Sequence, residues 1–532
     1  MAILIVLVTI GLHSFFRAHI GGFWRDEVNL INLAQGHSIG DMRKDSFPLL
    51  MPLLIHSWFG LGLSEPGLRW LGFFIGMGTL VALLFSTWKI NRTPPLFGLV
   101  LLGLNSTLIV YGDSMRAYGL GCVFIILTTF CAGHFLSKPD WKRAGWLTLT
   151  SVASVQTLYH NSILVGAICL GSILVLVRRQ NWADAAKVFG AGAVAAISLL
   201  PYVPNLLAGR ESSATLRTGL KTSRLIEGFM DGFGFPLEQY TYIWGILAAL
   251  LLLFCCRSIG DKTSPDESDA RRRNQDLLLF AVATFFIGLV GTLIFLKLAA
   301  YPAQSWYLLP LMAVAITCLD ISWPLWPRQT HLPIFGFAMA TALIAVPIAI
   351  RDLDYHFTNI DIWSRQMKTE VAPEDYVIVL PWFCGITFAH DFKNPTAWDT
   401  LPPISDHTVH RFDLVKMEMQ DTNAIVPLLQ KVTATLQSGH RVWILAQMGC
   451  MDVPEPGTTA AATLPPAPYA PVGWSEVPYT WVWISQVAHY VGDHTTQFGR
   501  VKNPTAGQRI AENAELFCAS GWRDSTNPVP AR

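Results

Sequence analysis

From residue 2 to about residue 350 the chain alternates long apolar runs with short polar breaks. From residue 351 the pattern changes to short mixed segments. The apolar runs are 2–20, 67–88, 95–110, 117–136, 144–158, 163–177, 188–207, 242–256, 277–298, 305–319 and 333–350. At about 1.5 Å per residue, roughly 20 apolar residues cross a hydrocarbon core of about 30 Å. The pattern therefore predicts about eleven transmembrane helices, the first a retained helix rather than a cleaved leader, because a basic start and a small-residue cleavage site are missing. Residues 144–177 as one helix would be about 50 Å long, too long for one crossing. A hairpin turning at Tyr159-His160-Asn161 is expected instead. The first polar stretch, 21–66, is too long for a turn and holds amphipathic pieces at 28–34 and 49–59. The second piece is short for a span and is expected to lie in the membrane interface.

Composition agrees. The chain has 532 residues, of which 52% are hydrophobic and only 14% charged, against about 25% charged in soluble domains. A net charge of +1 gives no case for nucleic acid as a partner. Nineteen Trp residues suit long membrane–water boundaries. The basic residues mark alternate loops: Lys89 and Arg92; Lys138, Lys142 and Arg143; Arg178 and Arg179; the 257–274 linker; and Arg328. Cytoplasmic loops carry such excess. The N-terminus is then cytoplasmic. Loops 21–66, 111–116, 159–161, 208–239 and 299–304, together with everything after residue 350, are extracytoplasmic.

The tail, 351–532, reads as an α/β domain. Tyr376–Leu380 and the runs 441–445 and 480–485 are expected strands, 424–438 a helix, and 453–471 an extended loop rich in Pro, Ala and Thr. Cys384, Cys450 and Cys518 would allow one disulfide, although an odd count does not argue for one. His407-Thr408-Val409-His410, with His390 and Cys384, is a conceivable metal set, but surface histidines are the commoner reading. Asp41 and Asp45 flank Arg43 and Lys44, which argues for a solvated face rather than a cation site.

The chemistry gathers in the outer loops. Asp26 and Glu27 follow the first apolar run by a few residues. A carboxylate at a membrane boundary is suited to general-base work. The plainer reading is that the pair opens a surface helix, where acids favour the first turn. Further on, Asp113, Arg116 and Tyr118, then His160, then Lys297, Gln304 and Tyr307 add an acid, cations, an amide and aromatic rings. Such a set suits a lipid phosphate that carries a sugar. Interfacial aromatics and a snorkelling Lys297 are the ordinary alternative.

Several stretches occur in an order that resembles the GT-C membrane glycosyltransferases. They are Trp24-Arg25-Asp26-Glu27, then Ser46-Phe47-Pro48 with His56 and Trp58, then Ser64-Glu65 with Arg69, then Asp113-Ser114-Met115-Arg116-Ala117-Tyr118. Tyr159-His160 and Trp306-Tyr307-Leu308-Leu309-Pro310 also fit. Across about residues 1–350 the chain is similar to bacterial lipid-linked-sugar transferases related to protein O-mannosyltransferases and to the lipid A aminoarabinose transferase. The resemblance implies an all-α membrane catalytic domain over 1–350 and an outer α/β domain over 351–532. It also implies a polyprenyl-phosphate-linked donor and a hydroxyl acceptor on lipid, glycan or protein. The enzyme would be a hexosyl or pentosyl transferase of the bacterial inner membrane. By matching position Asp26 would be the base and Glu27 would orient it or hold the acceptor. Arg116 and Tyr118 would support the loop or the phosphate, and Arg69 matches a recurring arginine whose plainer role is an ion pair with Glu65 or Asp26. Asp113 stands where relatives have Glu or Gln, and Ser46-Phe47-Pro48 departs from the usual His-Pro-Pro. Lys297 and Gln304 are looser candidates for phosphate contact. The scheme requires no metal, and a divalent ion is compatible with it. Two rival readings stand beside it: a transporter or flippase of lipid-linked sugars, and an inactive membrane scaffold.

Overall fold

The computed structural model describes residues 1–36, 38–42, 47–212, 222–260, 269–299, 304–452, 463–468 and 474–524. Expectations that fall on Arg43, Lys44, Asp45, Ser46, Tyr301, the middle of the 257–274 linker, most of the 453–471 loop and part of the 208–239 loop lie outside the described residues. The chain divides into two compact units. One comprises Met1–Ala18, His37–Leu206 and Leu220–Asp354; the other comprises His19–Gly36, Leu207–Gly219 and Tyr355–Arg532. The segment that carries Asp26 and Glu27 thus belongs to the same unit as the tail.

The first unit is helical. Among the described residues nine helices are long and apolar enough to cross a membrane, from Ala2–His19 to Arg328–Leu353. The other two expected crossings are shorter. Residues 95–112 break into Gly98–Gly103 and Ser106–Gly112, and residues 144–155 of the run 144–158 fall in Trp141–Val155. The break has a local cause: the Asn105 side-chain oxygen accepts the backbone N–H of Thr107 at 2.9 Å and of Leu108 at 3.3 Å, starting a new helix there. Asp140 caps Trp141–Val155 through the Arg143 N–H at 2.8 Å. The hairpin turns where expected, between Val155 and Asn161. The short apolar helix Leu50–Gly60 is tied to that turn: Leu50 N–H donates to Gln156 O at 3.0 Å, and Tyr202 bridges Leu49 N–H and Gln156 Oε1.

Polar side chains sort the two ends of this unit. At one end Arg179 pairs with Asp276 at 2.8 Å and donates to Leu136 O at 2.6 Å. There too Asn91 donates to Ile321 O at 2.6 Å. Arg179, one of the basic residues used above to assign loops, thus ties the ends of the Tyr118–Ser137 and Asn161–Arg178 helices to the start of Asp269–Ala299. The aromatic residues of the expected outer loops collect at the starts of the Tyr118–Ser137 and Asn161–Arg178 helices and of Ser305–Leu308.

The second unit is α/β. Seven strands are described: β1 His356–Thr358, β2 Tyr376–Leu380, β3 Ala397–Thr400, β4 Val442–Gln447, β5 Thr495–Arg500, β6 Ile510–Glu512 and β7 Ala514–Trp522. Five form a sheet in the order β3-β2-β4-β7-β5, and β1 pairs with β6. β2 is parallel to β3 and β4, whereas β7 is antiparallel to β4 and β5. Successive residues of β2 alternate faces. Tyr376, Ile378 and Leu380 pack with Val442 and Ile444 beneath the Val426–Gln437 and Glu476–His494 helices. Val377 and Val379 pack with Trp443 and Leu445 beneath Ile360–Glu370 and Cys384–Asp391. Both faces are covered, so the strands read as continuous apolar runs.

One expected strand is corrected. Residues 480–485, rich in Trp, Val and Ile, lie inside the Glu476–His494 helix. Tyr479, Trp483, Val487 and Val491 are buried at a spacing of four, so packing of one helical face overrides the β propensity. Cys384, Cys450 and Cys518 are all free thiols.

Candidate functional site

In the membrane unit four candidates from three distant stretches of the chain come together. Arg116 Nη2 lies 3.4 Å from the Tyr118 hydroxyl, and its guanidinium sits over the rings of Tyr118 and Phe47 at 5.2 and 5.1 Å. The Tyr118 ring centroid is 6.5 Å from that of His160 and 6.3 Å from that of Tyr307. His160 and Tyr307 are 6.5 Å apart, and Phe295 flanks His160 at 6.4 Å. Tyr111 and Trp306 extend the wall at 4.4 Å. The result is an aromatic cluster around one guanidinium, built from five chain segments. Arg116 and Tyr118 are buried. His160 stands in the turn before its helix, and burial pushes its imidazole down to about 4, so the ring is neutral. A cation framed by rings matches what an anionic, ring-bearing ligand needs.

Asp113 does not join this cluster. Its carboxylate faces His13 of the first helix at 2.8 Å, with both side chains buried. His13 was not singled out from sequence, although a lone imidazole inside an apolar run is a signal. Arg69 is buried at the start of the Leu68–Asn91 helix. Lys297 is exposed near the end of Asp269–Ala299, and Gln304 is half-buried just before Ser305–Leu308, where its carbonyl accepts Tyr307 N–H at 3.0 Å.

In the second unit Asp26 and Glu27 occupy the first turn of the Arg25–Ala34 helix, as the plainer reading expects. The two acids then diverge. Glu27 is fully buried, and its carboxylate accepts the Trp24 backbone N–H at 3.3 Å, which closes the turn. Asp26 is 22% exposed, and its Oδ1 lies 3.0 Å from His410 Nε2. The helix is anchored around it. Arg25 reaches Glu512 at 3.4 Å and covers the Phe383 ring at 4.3 Å. Trp24 stacks on Phe357 at 5.3 Å, and Asn29 Oδ1 accepts the His410 backbone N–H at 2.9 Å. Burial raises the Glu512 carboxyl above its ordinary range, against the opposing pull of Arg25.

Among the described residues no three His, Cys, Asp or Glu side chains are placed to hold a metal ion. The set imagined from sequence is dispersed: His410 meets Asp26, His407 packs on Trp398 at 4.6 Å, and Cys384 is buried in the core.

No protein-family model and no curated protein matches the chain. Solved structures similar to it include the oligosaccharyltransferase of Archaeoglobus fulgidus tethered with an acceptor peptide. That match has 11% identity and a TM-score of 0.43, and covers 84% of this chain and 69% of that one. ArnT from Cupriavidus metallidurans bound to undecaprenyl phosphate is similar at 12% identity and a TM-score of 0.37, over 84% of this chain and 93% of that one.

Proposed function

We propose that this chain is a membrane glycosyltransferase of the GT-C type. It moves a sugar from a polyprenyl-phosphate carrier to a hydroxyl acceptor at the extracytoplasmic side. The observation that carries the reading is the convergence of Arg116, Tyr118, His160 and Tyr307, which the order of motifs along the chain singles out beforehand. In the reaction the acceptor oxygen attacks the anomeric carbon. The bond from that carbon to the phosphate oxygen breaks, and its electron pair stays on the phosphate. The acceptor proton goes to Asp26. Within the first unit Arg116 is suited to balancing a phosphate charge and the rings of Tyr118 and Tyr307 to stacking on a sugar or prenyl head; within the second, Glu27 fixes the turn that carries Asp26.

The test is sugar transfer by purified, reconstituted protein, wild type against Asp26→Asn, with a panel of polyprenyl-phosphate sugars and envelope extract as acceptor. Asn keeps the shape of Asp and cannot take a proton, so a loss of about 10²–10⁴-fold is expected. Equal activity of the two removes Asp26 as the base. The second reading, a transporter of lipid-linked sugars, draws on the broken 95–112 segment and the buried acids Asp113 and Asp320. It takes over if wild type transfers no sugar but moves the lipid-linked sugar across vesicles.

A further inference from the structure

We infer that His410 is the positioning residue for Asp26, so that the C-terminal segment builds part of the reaction centre. The inference rests on the reading of Asp26 as the base. Three contacts within the second unit join the Arg25–Ala34 helix to residues 408–410. His410 Nε2 lies 3.0 Å from Asp26 Oδ1, the His410 backbone N–H donates to Asn29 Oδ1 at 2.9 Å, and Asn32 Nδ2 donates to Thr408 O at 2.8 Å. The acid, the amide and the second amide sit at positions 26, 29 and 32, one face of a helix. The same short stretch of tail reads all three.

The imidazole itself is held. It stacks on Phe412 at 5.6 Å and 17°, and meets the edge of Trp382 at 6.3 Å and 87°. Trp382 is fixed in turn by donating its Nε1–H to the buried Glu476 carboxylate at 3.0 Å. His410 Nδ1 is buried with no hydrogen-bond partner. A proton on that atom would be an unsatisfied buried donor, which costs more than a bare acceptor lone pair. The neutral tautomer with hydrogen on Nε2 fits the site, and that N–H donates to Asp26. It confines the carboxylate to one orientation and favours its ionised form, the form that accepts the hydroxyl proton. Arg25 Nε, 3.9 Å from the same oxygen, adds a weaker pull in the same direction.

The experiment uses full-length reconstituted protein carrying His410→Leu or His410→Gln. Gln can return an N–H near the Nε2 position; Leu cannot. Two quantities are read: transfer kinetics across pH, and titration of the Asp26 carboxylate by isotope-edited infrared difference spectroscopy. The expected result for His410→Leu is a fall in kcat of about 10–100-fold, since a misplacement of about 1 Å costs on that order. The donor KM should be unchanged, and the acid limb of the rate profile and the Asp26 midpoint should both move to higher pH. His410→Gln should recover most of the rate. Wild-type kcat in His410→Leu with an unmoved limb overturns the inference. So does a Gln variant as impaired as Leu with a raised KM, which marks a folding role. If wild type transfers no sugar, the infrared titration still decides. A midpoint that rises in His410→Leu keeps the pairing and removes the glycosyltransferase reading, whereas an unmoved midpoint removes the pairing.

Discussion

His13 Nδ1 lies 2.8 Å from both carboxylate oxygens of Asp113, joining the first helix to the loop that leads into Arg116. The approach depends on two glycines one turn apart on the Leu68–Asn91 helix. A Cβ on Gly76 would stand 1.8 Å from Asp113 Oδ1, and one on Gly72 would stand 1.9 Å from the Asp113 carbonyl oxygen. The second obstacle is backbone and cannot swing aside. Gly72→Ala is therefore expected to destabilise the protein by about 1–3 kcal/mol, in the range of overpacked cores. The check is a lowered melting temperature in detergent, with Gly78→Ala, whose nearest neighbour is 3.4 Å away, as the tolerant control.

A second buried acid organises the opposite end. The Asp320 carboxylate accepts the backbone N–H of Phe97 at 2.9 Å and of Gly98 at 2.7 Å, supplying a start to the Gly98–Gly103 segment that the segment lacks on its own. Asp320→Ala leaves two buried donors without acceptors, at about 1–3 kcal/mol each. Asp320→Asn keeps one acceptor and should lose about half as much. Thermal unfolding of the two variants beside wild type measures the difference, and equal loss in both refutes the two-donor account.

The crossings were legible because a bilayer imposes one length and one polarity on every segment. All eleven expected runs fall largely on helices, and the break at Asn105 is among the details that escaped the pattern. The aromatic cluster was legible for a related reason. Arg116, Tyr118, His160 and Tyr307 stand at helix starts, and antiparallel packing brings alternate starts together. Pairings across hundreds of residues were not. Nothing in the spacing of Asp26 and His410, or of His13 and Asp113, marks them as neighbours, because their contact depends on tertiary packing. His410 was weighed as a surface histidine or a metal ligand and Asp113 as a substrate residue, since each was read beside its sequence neighbours. The 480–485 run shows the same limit, because its β-branched and aromatic side chains suit a strand until the burial of one face is known.

The aromatic cluster yields a kinetic prediction. If Arg116 neutralises the donor phosphate, Arg116→Gln removes a charge-assisted contact of about 1.5–3 kcal/mol, and about 1.4 kcal/mol is tenfold. A fall in kcat/KM of about 10–100-fold is expected, largely in the donor KM. Arg116→Lys should recover only part of it, because an ammonium lacks the planar fork. Titrating the donor against both variants separates this from a structural role, which would lower kcat and the melting temperature together.

Glu476 supplies a pH prediction with a defined sign. Its side chain is buried and accepts the Trp382 Nε1–H, and burial raises its carboxyl above the ordinary 4.5, against smaller opposing effects of that hydrogen bond and of Arg25. In the unfolded chain the group ionises near 4.5; in the fold it holds its proton to higher pH. Its contribution to stability is therefore full below about 4.5 and is lost as pH rises through the raised folded value. Glu476→Gln keeps an oxygen for Trp382 and removes the titration. The melting temperatures of wild type and variant should converge near pH 4 and separate as pH rises toward about 8, with the variant the more stable. A variant less stable at high pH would show that Glu476 is held ionised by Arg25, and that the charge itself supports the platform beneath Asp26.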